Sequence, residues 1–579
     1  TGNGRFDLRR DEEARAEPID PPPHDRRYFD AHLTALARYY DVMTGGALHL
    51  EWDIYPASDD SAYHLPDTRK YGPWIFSNSN PDVLVHAIDL VGDALAAADS
   101  ADDAIDFSRY NFGGERNRGA CILVHAGADF QGDLNGDSPW DIPSFNLYVA
   151  DPFVVQDSTV AIDLVQVVPE SPSQDGFYAA LNGVLTHEFG HQLGFTDLYD
   201  VKNGLPVVGQ FSLMDSGDNL YGLIPDPDDS TQALPVRGTL PASLDPWHKT
   251  LFFPDGVDLV FAPDSLVADD SSLVATLPSS QLGNRILQVP LSLSEYLLVE
   301  NRVWELNGDV HPDTLHPFLK QDDSTGVILG PVPADSLAPA DDPGFREYDY
   351  LLEAQGIVQW HIDWAAILAG LNTPYGGVNI FFSRPGVGVL EADGIRDIGT
   401  ASAEFIGGPF DTWFRGGYAC LTPESEPSSD TNDGTPTGLT VCALDTVQVT
   451  ARVSVTARSY PSGWPNYAFG APDEEQMLVL DLDGAGGSEL LVAATDSVGS
   501  IFAWRPDGRG AGPQGDALLA AFPRPIEGGL AGRERFRYGA GGGEVRPLVA
   551  AVAGGLLYLL DGQGNSLCLL YTSPSPRDS

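Results

Sequence analysis

Two histidines and a glutamate stand in the order and spacing of a zinc-binding helix. In the stretch HEFGHQLGFTD, His187 and His191 are four residues apart, so on a helix both imidazoles face the same side. Glu188 lies beside them. Gly194 permits a sharp turn after the helix, and Asp197 can then return as a third ligand. Three protein ligands leave one tetrahedral position for water, which predicts a catalytic zinc (Zn2+) site.

The predicted chemistry of such a site is hydrolysis. Zinc lowers the pKa of its water from about 15.7 to about 7, and Glu188 is the predicted general base that takes a proton as this water attacks a peptide carbonyl. Asp200 follows Asp197 closely and stays an alternative third ligand. A turn at 212–217 (SLMDSG) is predicted to place Met214 as an apolar floor under the ligands.

Acidic turns are a second class of candidate. Oxygen ligands occur at short spacing in one of them, as a calcium (Ca2+) site requires: Asp133, Asn135, Asp137 and Asp141. The full EF-hand pattern is not met there. A second turn holds Asp481, Asp483 and Glu489, but Ala485 stands where calcium turns usually have a carboxylate. A solvated acidic turn is the alternative interpretation of both.

The sequence gives weaker indications of a functional role for several other polar residues. Tyr199 and Tyr221 are candidates to donate a hydrogen bond to an oxyanion. His125, His248 and His361 stand alone beside helix or strand patterns, and we predict structural roles for them.

Apolar periodicity indicates the elements that must position these residues. Helical spacing predicts a helix from residue 26, another over 82–98, and a third over 177–193 that carries the zinc motif. Alternation of apolar and polar residues predicts a strand over 48–54, and an apolar run predicts a buried strand over 120–124. Helices alternating with strands favour a mixed sheet flanked by helices.

The sequence after the zinc motif predicts mainly β-structure. Short apolar runs separated by Pro, Asp and Gly follow the zinc motif. Two similar hairpin sequences, at 499–504 and 555–560, lie about 55 residues apart and suggest propeller blades. The 579 residues divide into five predicted segments: a disordered linker or remnant of a pro-region (1–25), a catalytic domain (26–255), β-rich domains completing it (256–460), a partial β-propeller (461–570) and an unstructured tail (571–579).

Charge and composition exclude some functions. The chain has 83 Asp and Glu against 32 Lys and Arg, a formal charge of -51, so nucleic acid is not an expected partner. No apolar run approaches the roughly 20 residues of a membrane span. Cys420 and Cys442 could pair if the protein is exported. The printed chain shows no signal peptide, so we expect any leader to be absent from this fragment.

The zinc motif and its surroundings resemble the secreted zinc metallopeptidases typified by bacterial immune inhibitor A, relatives of the metzincins. The resemblance covers about residues 26–457 and rests on HEFGHQLGFTDLYD and FSLMDSG, with weaker pieces such as EYLLVENR and GIVQWHID. The chain departs from it after Lys249, where relatives continue with Gly-Trp. The resemblance implies an α+β metzincin-like catalytic domain followed by β-rich domains. It also implies secretion, a pro-segment and a common need for calcium. Separately, the turn from Asp481 to Glu489 resembles the calcium-carrying turns of FG-GAP propeller repeats, in line with the predicted partial β-propeller.

These observations favour a secreted zinc endopeptidase acting on proteins or peptides. The main alternative is a non-catalytic surface or adhesion protein that binds glycan or protein through its propeller region. A metal-dependent hydrolase of other substrates is a third hypothesis. The intact Glu188 argues against loss of catalysis.

Overall fold

The structure is a computed structural model that describes residues 4–571 with gaps. Nothing is described for the following: 12–16, 60, 66, 75–81, 102–104, 111–120, 157–158, 227–228, 230, 263–271, 309–318, 336, 401–404, 458–470, 484–486, 496–497, 528 and 538–544. The predicted tail, apart from Tyr571, also lies outside the described residues. The chain divides into two compact units, Thr1–Ala457 and Arg458–Ser579.

The described helices all belong to the first unit. They are α1 (Arg26–Met43), α2 (Asp82–Ala101), α3 (Leu181–Leu193), α4 (Pro246–Phe252), α5 (Ser280–Gly283) and α6 (Trp364–Leu371). α1 begins after Asp25, whose carboxylate accepts a hydrogen bond from the N–H of Arg27 and so caps the helix. Within the described residues, none of the helices combines the length and the apolar character needed to cross a bilayer.

A small mixed sheet packs against α2 and α3 of the first unit. Its strands are β1 (Cys121–His125), β2 (Phe145–Val155) and β3 (Val160–Pro169), in the order β1-β3-β2. β1 runs parallel to β3, with Leu123 opposite Val167, and β2 runs antiparallel to it. A hairpin of β4 (Tyr221–Pro225) and β5 (Ala233–Arg237) follows the Met-containing turn.

The β-rich part of the first unit contains three further sheets. Its strands are β6 (Asp258–Phe261), β7 (Ser272–Pro278), β8 (Arg285–Pro290), β9 (Glu295–Arg302), β10 (Leu319–Gln321), β11 (Ile328–Pro331), β12 (Gly356–Asp363), β13 (Val387–Val389), β14 (Cys420–Leu421), β15 (Leu439–Ala443) and β16 (Thr450–Ala457). The sheets have the orders β13-β12-β9-β8-β6, β14-β15-β16-β7 and β10-β11. A disulfide between Cys420 and Cys442 joins β14 to β15.

One hydrophobic core spans the two domains that we predicted on either side of residue 255. It contains Tyr40 of α1, Phe189 of α3, Trp247 of α4 and Trp360 of β12. The β-rich sheets therefore contribute directly to the core that supports the zinc motif, because apolar residues from both parts pack into it.

The second unit is entirely β-structure where it is described. Its strands are β17 (Ala471–Leu480), β18 (Glu489–Thr495), β19 (Gly499–Trp504), β20 (Leu518–Phe522), β21 (Ala531–Arg537), β22 (Val545–Ala553), β23 (Leu556–Asp561) and β24 (Ser566–Tyr571). They form two antiparallel sheets, β17-β18-β19-β20 and β21-β22-β23-β24, and the predicted hairpins supply the third strand of each. Over the described residues, the protein is mixed α/β and β-rich, with several small sheets and no closed barrel or propeller.

Two segments differ from the sequence-based prediction. Within the predicted linker at 1–25, Ile19, Asp20 and His24 are buried against the first unit. The strand predicted over 48–54 is wrong, since these residues pair with no strand in the described chain. Leu48 and Leu50 pack against the hydrophobic core instead, and the indole of Trp52 donates a hydrogen bond to Asp30 of α1.

Candidate metal centre

His187, Glu188 and His191 lie on α3, a helix buried on almost every side. The helix ends at Gly194, whose φ of 100° is a left-handed conformation that few residues other than glycine adopt. Gly190 lets the Met-containing turn approach closely, because a Cβ there would lie 2.7 Å from the sulfur of Met214. Met214 is fully buried under the helix.

The three predicted ligands converge. Oδ1 of Asp197 lies 3.3 Å from Nε2 of His187 and 3.3 Å from Nε2 of His191. Each imidazole is oriented from behind, since Nδ1 of His187 is 2.9 Å from the carbonyl of Leu213 and Nδ1 of His191 is 2.9 Å from that of Phe195. A carbonyl can only accept, so each Nδ1 is the donor, and in the neutral ring that binds a metal each Nε2 presents a lone pair.

The environment of these atoms fits a divalent cation. Oδ1 of Asp197 is buried and has no hydrogen-bond partner in the part of the chain that the structure describes. A buried carboxylate oxygen without a partner is costly, and a metal ion would satisfy it together with the two free Nε2 atoms. The residues could therefore hold a metal ion.

Asp200, the alternative third ligand, is engaged elsewhere. It is fully buried, and its carboxylate accepts hydrogen bonds from the N–H of Lys202 at 3.0 Å and from the side chain of Asn203 at 2.6 Å. These contacts stabilise a tight turn. The structure thus brings Asp197, and not Asp200, to the two imidazoles.

Glu188 lies beside the ligands in a nearly dry environment. It is 8% exposed, and its Oε2 has no hydrogen-bond partner among the described residues. Burial raises the pKa of Glu188 to about 7, against the opposing effect of the neighbouring imidazoles. Asn146 of β2 donates a hydrogen bond to its backbone carbonyl, which fixes the helix against the sheet.

Charge around His187 is dominated by carboxylates. Burial lowers the pKa of His187, but the neighbouring Asp197 and Asp218 outweigh it and raise the pKa of the metal-free ring to about 10, so a bound metal ion would displace a proton from Nε2. Asp218, just after the Met-containing turn, has a pKa raised to about 6 by burial. Asp218 could not be predicted from the sequence, because nothing in its local pattern indicates that the chain returns to His187.

The two candidate tyrosines lie in different environments. The pKa of Tyr199 is raised by burial and then by the charges of Asp197 and Glu188, so its ring lies near the metal ligands. Tyr221 is 51% exposed, and the guanidinium of Arg237 lies 4.6 Å above its ring.

The predicted structural histidines are buried. His361 of β12 lies 2.9 Å from Oε2 of Glu295. Burial lowers the pKa of His125 to about 4. His248 contacts Asp245 and the N–H of Thr196.

The predicted calcium turn has a different composition in the structure. Asp133 and Asp137 meet Asp175, from 38 residues further along the chain, and Asp141 is not in this group. The carboxylate of Asp133 accepts hydrogen bonds from the N–H groups of Asp137 and Ser138, as an acidic turn does without an ion. The N–H of Asn135 likewise donates to Asp175.

Two further carboxylate groups come together. Asp481, Asp483 and Glu489 meet as the sequence suggested, although Ala485 lies outside the described residues. Glu391, Asp397 and Asp411 form a group that the sequence analysis missed. Burial raises the pKa of Glu391 to about 8 and that of Asp411 to about 7. Asp397 donates its N–H to the Glu391 carboxylate from the same turn, but Asp411 lies further along the connection between β13 and β14, so no short motif identifies the group.

No family model matches the sequence, and no curated protein matches it. The functional interpretation therefore depends on the residues and their geometry.

Proposed function

We propose that the protein is a secreted zinc-dependent endopeptidase. The observation that carries this proposal is the convergence of two lone-pair nitrogens and one buried carboxylate oxygen without a partner, next to a buried Glu188. His187, His191 and Asp197 would hold the ion, and this donor set of two imidazoles and a carboxylate is one that catalytic zinc sites use. We place the chain among the immune inhibitor A-like peptidases, with a metzincin-like catalytic domain and a partial propeller.

The metal ligands and Glu188 would have separate roles in peptide hydrolysis. A bound zinc ion would polarise a carbonyl and lower the pKa of a water molecule. Glu188 would accept a proton from the attacking water at its carboxylate and return it to the leaving amine. The low exposure of Glu188 supports this role, because a base held away from bulk water keeps its proton for the leaving group.

Metal content and one isosteric substitution test the proposal. Inductively coupled plasma mass spectrometry should find about one zinc per chain. Glu188→Gln should keep that zinc and lower casein cleavage by about 100-fold or more, because the amide cannot accept the proton. Glu353→Gln, at an exposed carboxylate, is the matched control and should cleave as the wild type does. Full activity of Glu188→Gln, or protein without zinc, would refute the proposal.

The disulfide favours an extracellular setting, since such bonds persist in oxidising compartments. We propose protein or peptide substrates, and a calcium ion at an acidic turn as a second metal. If the wild type binds zinc and a peptide library yields no cuts, a metal-dependent hydrolase of other substrates or the adhesion hypothesis would replace the endopeptidase. Binding of glycan or protein by the C-terminal unit would support it directly.

A further inference from the structure

His248 is fully buried on α4, next to the loop that carries Asp197. Its Nε2 accepts a hydrogen bond from the N–H of Thr196 at 3.2 Å, and its Nδ1 lies 2.7 Å from Oδ2 of Asp245. The Thr196 N–H can only donate, so Nε2 must be unprotonated and Nδ1 carries the hydrogen. Both ring nitrogens are thus committed to one tautomer.

The same carboxylate also reaches the Met-containing turn. Oγ of Ser212 accepts from the N–H of Met214 at 3.0 Å and donates to Oδ2 of Asp245 at 2.8 Å. Between these two residues lies Leu213, whose carbonyl orients the imidazole of His187. Asp245 therefore connects the turn behind one histidine to the loop that carries the carboxylate.

The backbone on both sides of Asp197 is fixed by these contacts. The N–H of Thr196 donates to His248, and the N–H of Leu198 donates to the carbonyl of Met214 at 2.7 Å. Side-chain direction follows from backbone orientation, so these two bonds determine where the carboxylate points. Phe195 packs against the His248 ring, with centroids 4.9 Å apart, and closes the group from the other side.

We propose that His248 and Asp245 are positioning residues of the metal centre. They hold the Asp197 loop and the Met-containing turn together, so that the oxygen and both imidazole nitrogens meet at one point. This inference rests on the proposed function, in that the point must be a metal site. Groups that orient metal ligands in this way typically change metal affinity by about 10- to 100-fold when removed.

The test is the zinc affinity of the full chain, measured by competition with a chromophoric chelator. His248→Gln should weaken zinc binding by about 10- to 100-fold. His361→Gln is the matched control, because it also removes a buried histidine paired with a carboxylate, Glu295, but contacts neither the loop nor the turn. The control should bind zinc within about twofold of the wild type.

Asp245→Asn is a second variant that conserves size. One carboxylate oxygen accepts from the N–H of His248 and the other from Nδ1, so an amide nitrogen at either position faces a donor. If the amide forces His248 into the other tautomer, Nε2 carries a hydrogen and can no longer accept the hydrogen bond from the N–H of Thr196. We expect this variant to match His248→Gln in zinc affinity.

Hydrogen exchange separates positioning from general stability. In the metal-free protein, the amides of Thr196 and Leu198 should exchange faster in both variants than in His361→Gln at equal thermal stability. Unchanged zinc affinity in the folded variants would overturn the inference while the proposed function stands. A wild type that binds no zinc would overturn the proposed function, and the inference with it.

Discussion

At the scale of single residues, what distinguishes Asp197 from Asp200 is the set of hydrogen bonds already made. Both carboxylates follow the zinc motif and both are largely buried. Asp200 has its oxygens occupied by Lys202 and Asn203, whereas Oδ1 of Asp197 has no partner within the described chain. A metal ion would compensate an oxygen that is otherwise unsatisfied, so we assign Asp197 as the third ligand.

Two conservative substitutions check this assignment. Asp197→Asn should weaken zinc binding by about 100-fold or more, because a neutral amide replaces an anionic ligand. Asp200→Asn should leave the zinc affinity within about threefold and lower only the thermal stability, because its oxygens cap a turn. Isothermal titration calorimetry of both variants provides the measurement. If Asp200→Asn lost zinc and Asp197→Asn kept it, the assignment would be reversed.

The residues that the sequence could indicate are those that lie close together along it. His187, Glu188 and His191 follow from one turn of helix, and Asp197 follows from the bend after Gly194. His248 comes from 51 residues beyond Asp197, and its role becomes visible only when the chain has folded back on itself. Spacing in the sequence carries no information about such contacts.

At the scale of elements, the start of α3 shows how a distant segment can decide a boundary. Helical spacing predicted a helix from residue 177, but it begins at Leu181, and the N-cap Ala180 makes no side-chain cap. The cap is supplied by Asp20, whose Oδ2 accepts the N–H of Leu181 at 2.7 Å. Asp20 lies in the segment predicted as a linker, so neither the start of α3 nor its cap could be predicted from the residues next to Leu181.

Removing this cap should destabilise the first unit. Asp20→Ala should lower the free energy of unfolding by about 1 kcal/mol, because the N–H of Leu181 loses its acceptor at a buried helix end. Asp20→Asn keeps an acceptor and should lose less. Urea denaturation followed by circular dichroism gives the difference. Asp323→Ala, at an exposed aspartate of the same unit, controls for loss of charge, and an equal effect would contradict the capping role.

At the scale of the whole molecule, the sequence predicted the type of secondary structure in each part of the chain better than it predicted the limits of the domains. The two repeated hairpins at 499–504 and 555–560 did indicate two similar sheets, because each follows a local pattern. The parts predicted on either side of residue 255 contribute to one core, which contains both Trp247 and Trp360. A domain boundary depends on which apolar faces of helices and sheets pack together. Apolar periodicity in the sequence shows that a face is apolar but not which other face it packs against.

The disulfide relates the stability of the first unit to the compartment in which it folds. Cys420 and Cys442 close a loop with a sequence separation of 22. In the chain-entropy account, a bridge across such a loop contributes about 3 kcal/mol by restricting the unfolded chain. Changing both cysteines to serine should therefore lower the urea midpoint of the unit that contains them, with little effect on Arg458–Ser579.

Reducing the disulfide in the wild-type protein tests the same prediction without a substitution. Dithiothreitol should shift the urea midpoint of the wild type toward that of the double serine variant, and should leave the variant unchanged. Cys121→Ser removes a free, partly buried thiol and should not abolish the response to reductant. If wild type and variant unfolded at the same urea concentration without reductant, the bond would contribute nothing to stability, and the argument for an oxidising compartment would lose its structural basis.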